Sequence, residues 1–249
     1  SDEAFAGKTA LISGGTSGIG RAAAALFLAG GARVVLMGRG AERGVRALGE
    51  LAAGERTRFV QGDVRLRADC ARAAQETIRA YGAIDILINS AGLYREGALD
   101  DLTEDLLEEL IATNVKGTFY LTQAALPYLR VSHGNIVNVA SDAGLHGNYF
   151  CAAYAATKGA VIAFTRSLAL ELAYDSVRVN AVAPADVLTE RQFTPHLPRE
   201  EQLRAMAAHY PMGRIGTPAE AASVIAFLAS SAASWVTGSV YCVDGGLTA

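Results

Sequence analysis

Residues 8–37 constrain the fold most. Lys8 to Ser13 (KTALIS) is a short apolar run ending at glycines, the pattern of a buried parallel strand. Gly14-Gly15-Thr16-Ser17-Gly18-Ile19-Gly20 follows, and then an Ala/Leu-rich helical stretch, RAAAALFLAGG, closed by Gly30-Gly31. A second apolar run covers Arg33 to Met37. Strand, glycine turn, helix and strand within about thirty residues make one βαβ unit.

The alternation continues along the chain. Further strands are expected at Arg58–Gln61, Ile84–Ile88, Asn135–Ala140, Val177–Val182 and Ser239–Val243, with helices over 41–53, 68–81, 103–130, 153–174 and 218–230. Thr217-Pro218-Ala219-Glu220 reads as a capping box with proline at the first helical position. Seven strands alternating with helices predict an α/β fold: a doubly wound (Rossmann) parallel sheet, helices on both faces, ligands at the carboxyl ends of the strands. Only 183–216 breaks the rhythm, with Pro184, Pro195, Pro198 and Pro211 and a short helix near Arg199 to Ala208. So long an excursion suits a flap over a substrate, placed at 186–213.

Composition narrows the setting. At 249 residues and 51% hydrophobic, with no linker, repeat or low-complexity tract, 1–249 reads as a single domain. The net charge of −3 comes from interspersed charges, which excludes the basic stripe of a nucleic-acid binder. Cys70, Cys151 and Cys242 are odd in number and far apart, as expected of reduced thiols in a cytoplasmic protein. No HExxH or close His pair suggests a metal site. The acidic start, SDEAFAGK, does not resemble a signal peptide. Ala221 to Val243 is uncharged over 23 positions, but serines, Thr237 and Gly238 split it into a helix and a strand, so no membrane span is expected.

Glycines at 14, 18 and 20 between a strand and a helix let the backbone turn tightly and approach a pyrophosphate, which would sit on the helix N-terminus. A nucleoside-triphosphate loop is excluded, since Gly20-Arg21-Ala22 offers no hydroxyl for magnesium. The second strand ends Met37-Gly38-Arg39, without the acid that would hold a free ribose. A guanidinium there suits a 2′-phosphate, favouring NADP(H) over NAD(H). Asp63-Val64 after the third strand either receives the adenine amino group or, through Asp63, caps the next turn. Tyr154 and Lys158 lie one helical turn apart and share a face. A lysine beside a tyrosine favours the phenolate, drawing a pKa of about 10 toward neutrality and making an acid or base of it.

With these residues in place, the chain resembles the short-chain dehydrogenase/reductase family over essentially its whole length. The matching residues are Ser13-Gly14-xxx-Gly18-Ile19-Gly20, Asp63-Val64, Asn89-Ser90-Ala91-Gly92, Asn114, Ser141, Tyr154-xxx-Lys158 and Pro184-Ala185-x-Val187-x-Thr189. The resemblance implies a cofactor site of Gly14, Thr16, Ser17, Gly18, Ile19, Gly20, Arg39, Asp63, Val64, Asn89, Ala91, Gly92, Tyr154, Lys158, Pro184, Val187 and Thr189. It implies that Tyr154 moves the proton, Lys158 lowers its pKa and binds the nicotinamide ribose, Ser141 donates to the substrate oxygen, and Asn114 anchors a relay water. It also implies a homotetramer or homodimer built on the long helices. Ala185 stands where the family has glycine, and would be strained if φ were positive.

The expected reaction is hydride transfer between NADP(H) and a ketone/secondary-alcohol pair. Tyr94, Ala143, His146, Tyr149 and Phe150, with Leu93, Leu145 and Cys151, are expected to line the substrate side beside Ser141. An acyl-carrier-protein ketoreductase is the specific alternative. A catalytically silent dinucleotide-binding regulator is the alternative of another class. A serine hydrolase is disfavoured, because no GxSxG surrounds Ser141.

Overall fold

The computed structural model describes residues 3–188 and 198–249. Seven strands form one parallel sheet: β1 Thr9–Ser13, β2 Arg33–Gly38, β3 Thr57–Gln61, β4 Ile86–Asn89, β5 Asn135–Val139, β6 Arg178–Pro184 and β7 Val240–Val243. Their order is β3-β2-β1-β4-β5-β6-β7, the doubly wound arrangement expected from the alternation. Between them run α1 Gly18–Ala29, α2 Ala41–Leu51, α3 Arg67–Tyr81, α4 Glu104–Leu110, α5 Gly117–Ser132, α6 Ala152–Leu172, α7 Arg199–Ala207 and α8 Pro218–Ala229.

Strand side chains alternate between faces, and the apolar runs supply both. Ala10, Ile12, Val34, Leu36, Ile86 and Ile88 join one core with Phe27 of α1, Ala47 of α2 and Ile225 of α8. Leu11, Val35, Met37 and Leu87 join the other with Cys70 of α3, Leu121 and Leu129 of α5, and Leu168 of α6. Full burial of each large side chain contributes roughly 1.5–3 kcal/mol. No helix among the described residues is long and apolar enough to cross a membrane, and the uncharged stretch divides into α8 and β7 as expected.

Two details depart from the sequence reading. The single helix expected over 103–130 contains a π-helical turn, Ile111–Lys116, between α4 and α5. A π turn is a single-turn bulge inside a longer helical run, and a reading of the helical run as a whole does not locate it. Ala185 is not among the residues with positive φ, so the strain anticipated there is absent; its N–H donates to Val243 O at 3.3 Å.

The excursion after β6 is joined at its base. Val187 pairs with Gly216, the Leu188 N–H donates to Gly216 O, and the Gly216 N–H donates to Asp186 O, both at 2.9 Å. Of the expected flap, 189–197, including Thr189 and Pro195, lies outside the described residues.

Candidate active site

The winding of the sheet reverses between the carboxyl ends of β1 and β4, the place where sheets of this kind hold ligands. The Ser13 hydroxyl accepts from the Ala91 N–H at 3.2 Å, tying these two strand ends together. Gly14 has φ +64°, and a Cβ on it would lie 2.8 Å from Ser90 O. At Gly20 a Cβ would stand 2.5 Å from Gly14 O, so only glycine lets α1 start this close to the turn. Ser17, the N-cap of α1, makes no side-chain capping bond, and the leading N–H groups keep a partial positive charge at the cleft. Thr16 packs over Gly38, Ser17 is exposed and Ile19 is partly buried.

Arg39 is exposed just beyond β2, and among the described residues its guanidinium makes no hydrogen bond or ion pair. Asp63 is paired locally with Arg65. Its Oδ1 accepts the Arg65 N–H at 3.0 Å, and the Arg65 guanidinium clasps both carboxylate oxygens. Burial pushes the Asp63 pKa up, but the Arg65 bonds outweigh it and the net shift is down. Val64 is buried against Gly117. Asn89 is buried and donates to Thr122 Oγ1 at 3.0 Å and to Asn138 Oδ1 at 2.8 Å; Asn138 in turn donates to Thr165 Oγ1. This polar chain links β4 and β5 to α5 and α6.

Asn114 sits within the π turn, buried, and its amide makes three hydrogen bonds. Oδ1 accepts the Leu93 N–H at 2.7 Å, while Nδ2 donates to Leu93 O and Thr157 Oγ1, each at 2.9 Å. Thr157 donates to Tyr154 O at 2.7 Å, so Asn114 fixes both the β4 exit loop and the turn of α6 between Tyr154 and Lys158. Lys158 is buried and donates to Val139 O at 2.8 Å. Burial lowers its pKa from 10.5 to about 8. A Cβ on Gly92 would lie 3.5 Å from Lys158 Nζ, so glycine leaves that space open.

The structure corrects the electrostatics expected of Tyr154. Its pKa is not drawn toward neutrality but pushed up to about 12, first by burial, with the Ser141 hydroxyl pulling down and Asp142, Cys151 and Asp186 raising it further. The lysine ammonium lies 5.8 Å from the ring centroid and points at the β5 carbonyl instead. Desolvation penalises the phenolate more than this remote cation favours it.

On the substrate side, the Tyr94 ring meets Tyr154 edge-on at 4.9 Å. The Tyr94 hydroxyl donates to Glu96 at 2.6 Å and lies 3.7 Å from Cys151 Sγ. Ala143 is buried and Leu145 sits at the surface, whereas Tyr149 and Phe150 are exposed. Phe150 has φ +57°, unusual for an aromatic, and its carbonyl receives the Gly97 N–H at 2.7 Å. Val187 is buried at the flap base and Pro184 ends β6.

The sequence reading passed over Asp142. Its side chain is only 9% exposed, and it accepts from Ser141 Oγ at 2.8 Å, with His146 Nε2 at 3.3 Å from its other oxygen. The signal was an acid among small residues directly after a strand-end serine. Asn138 was equally visible as an amide inside an apolar strand.

This fold, with a serine, tyrosine and lysine at the mouth of a glycine-turn cleft, defines an oxidoreductase of the dinucleotide-binding class. A family model described as enoyl-(acyl carrier protein) reductase matches residues 14–248. The 3-oxoacyl-(acyl-carrier-protein) reductase FabG of Thermotoga maritima is 39% identical over 245 residues, covering 97% of this chain and 98% of that protein. The L-fucose dehydrogenase of Mus musculus is 38% identical over 247 residues, covering 97% and 89%. A crystal structure of a short-chain dehydrogenase/reductase, glucose/ribitol dehydrogenase, from Brucella melitensis superposes with a TM-score of 0.93 at 36% identity, covering 100% of both chains. The chain belongs to the short-chain dehydrogenase/reductase family, whose members act with NAD(P)(H) on small alcohols and ketones.

Proposed function

We propose that this chain transfers a hydride between NADP(H) and a ketone/secondary-alcohol pair, with Tyr154 carrying the proton. The observation that supports it most is the convergence of Tyr154, Ser141 and Lys158, from β5 and α6, beside the open N-terminus of α1. The donor set fits a dinucleotide: uncapped helix N–H groups for the pyrophosphate, Arg39 free for a 2′-phosphate, and Lys158 with protons to spare beside the space that Gly92 leaves. Bound there, the nicotinamide supplies the hydride chemistry.

The residues do the rest. Ser141 directs its hydroxyl to the substrate oxygen and Tyr154 delivers its proton as negative charge develops there. Its high pKa keeps the phenol neutral at cellular pH, which suits donation to an alkoxide in ketone reduction. Asn114 holds the Leu93 loop and α6 in register, so that Tyr154 and Lys158 keep their spacing. Val187 and Pro184 border the nicotinamide, and the flap expected at 186–213, of which 189–197 lie outside the described residues, belongs to the same single domain. Free Cys70, Cys151 and Cys242 support a cytoplasmic setting, and the exposed Phe119 of α5 and Leu170 of α6 support a homotetramer or homodimer.

The test is Tyr154→Phe. It should lower turnover of NADPH with a reactive ketone by about 10²-fold or more and leave NADPH affinity within a few-fold. Wild-type turnover in that variant would remove Tyr154 from the reaction. The reductase name of the Thermotoga relative supports a second reading, reduction of a 3-oxoacyl thioester, which acetoacetyl-coenzyme A in the same assay addresses. NADPH binding with no turnover of any carbonyl compound would instead favour a silent regulator.

A further inference from the structure

Ser141 has one proton to give, and in this structure it is already taken. The serine Oγ donates to Asp142 Oδ1 at 2.8 Å and accepts the Ala143 N–H at 3.2 Å. A hydroxyl has one donor and two acceptor positions, so what Oγ still offers, toward the Tyr154 hydroxyl and the pocket, is a lone pair. The Asp142 carboxylate is held in turn. Its second oxygen faces His146 Nε2 at 3.3 Å and Asn148 Nδ2 at 3.4 Å, and its main-chain carbonyl receives the N–H groups of Leu145 and His146. Residues 141–148 are wound around this one buried side chain.

We propose that Asp142 is a positioning residue acting through Ser141: it takes the serine proton and presents Oγ to the pocket as an acceptor, presetting the resting site for the alcohol rather than the ketone. This rests on the reaction proposed above. An alcohol finds its acceptor ready. A ketone offers only lone pairs, so Ser141 must rotate its O–H from Asp142 to the substrate oxygen, giving up a hydrogen bond to a charged group. No covalent bond changes in that rotation. The carboxylate also helps keep Tyr154 protonated, leaving the tyrosine as the donor at the same oxygen. The other groups facing Tyr154 are Ser141, Cys151, Asp186, Lys158 and Tyr94.

The test compares ground-state affinities. Cyclohexanone, acetophenone and dihydroxyacetone are screened with NADPH, and the best of them is paired with its own alcohol as product inhibitor. Asp142→Ala should lower the ketone KM about tenfold, the cost of breaking a charge-assisted bond, and change the alcohol inhibition constant by about twofold at most. Asp142→Asn, which keeps a neutral acceptor and the shape of the side chain, should fall between. In a Ser141→Ala background the Asp142 substitutions should no longer alter the ratio of the two constants. Equal shifts in both constants, or a ratio that still moves without the serine, would overturn the proposal alone and make Asp142 merely structural. No turnover of any ketone by the wild type, with NADPH bound, would overturn the proposed reaction and this inference with it.

Discussion

Lys158 carries its ammonium into a dry site with a single carbonyl for company, and that has a measurable cost. Its pKa falls from an ordinary 10.5 to about 8. Between those values the unfolded chain holds a proton that the folded chain has lost, so stability rises with pH across this window and declines as pH falls toward 8. Below it the penalty is constant, about 3 kcal/mol. Lys158→Met should therefore be more stable than wild type in urea unfolding at pH 7 by up to about 3 kcal/mol, and the gap should close toward pH 10.5. A gap that stays flat over that range would remove burial of the charge as its cause. The pairing of Tyr154 with Lys158 was legible from a four-residue spacing, because helix geometry alone sets it. Their electrostatics were not legible: whether the ammonium faces the phenol or the Val139 carbonyl depends on β5, remote in the chain.

At the level of elements, the alternating strands and helices were readable throughout, because each apolar run must be buried on both faces of a parallel sheet. Less readable was the π turn at Ile111–Lys116, which aims the Asn114 amide at Leu93 and Thr157. Nor does sequence distinguish the two glycines of α2. A Cβ on Gly44 would come 2.3 Å from the Phe59 ring, while nothing lies within 4 Å of Gly49. Gly44→Ala should cost about 1–3 kcal/mol by overpacking. Gly49→Ala should gain about 0.5–1 kcal/mol by stiffening the unfolded chain. Chemical denaturation of the two variants reads both, and effects of the same sign would mean that the packing of α2 on β3 is misassigned.

For the whole molecule, α5 and α6 present Phe119 stacked on Phe164 at 4.1 Å, with Phe119 still 40% exposed and Leu170 of α6 largely bare. If this face pairs copies of the chain, as proposed, light scattering should give about four times the 26.0 kDa chain mass, or about twice it for the dimer. Phe119→Glu should lower that value. A wild-type mass equal to one chain would remove this face from any assembly. The excursion after β6 has a different bearing on the molecule. Its two ends are sewn together by Asp186, Val187 and Leu188 against Gly216, so β6 ends before it begins and α8 starts afresh after it. Closing a loop of twice the length costs only about 0.6 kcal/mol more. A change of length between those stitches therefore costs the sheet and α8 little, because the stitches themselves hold the register of β6 and the start of α8.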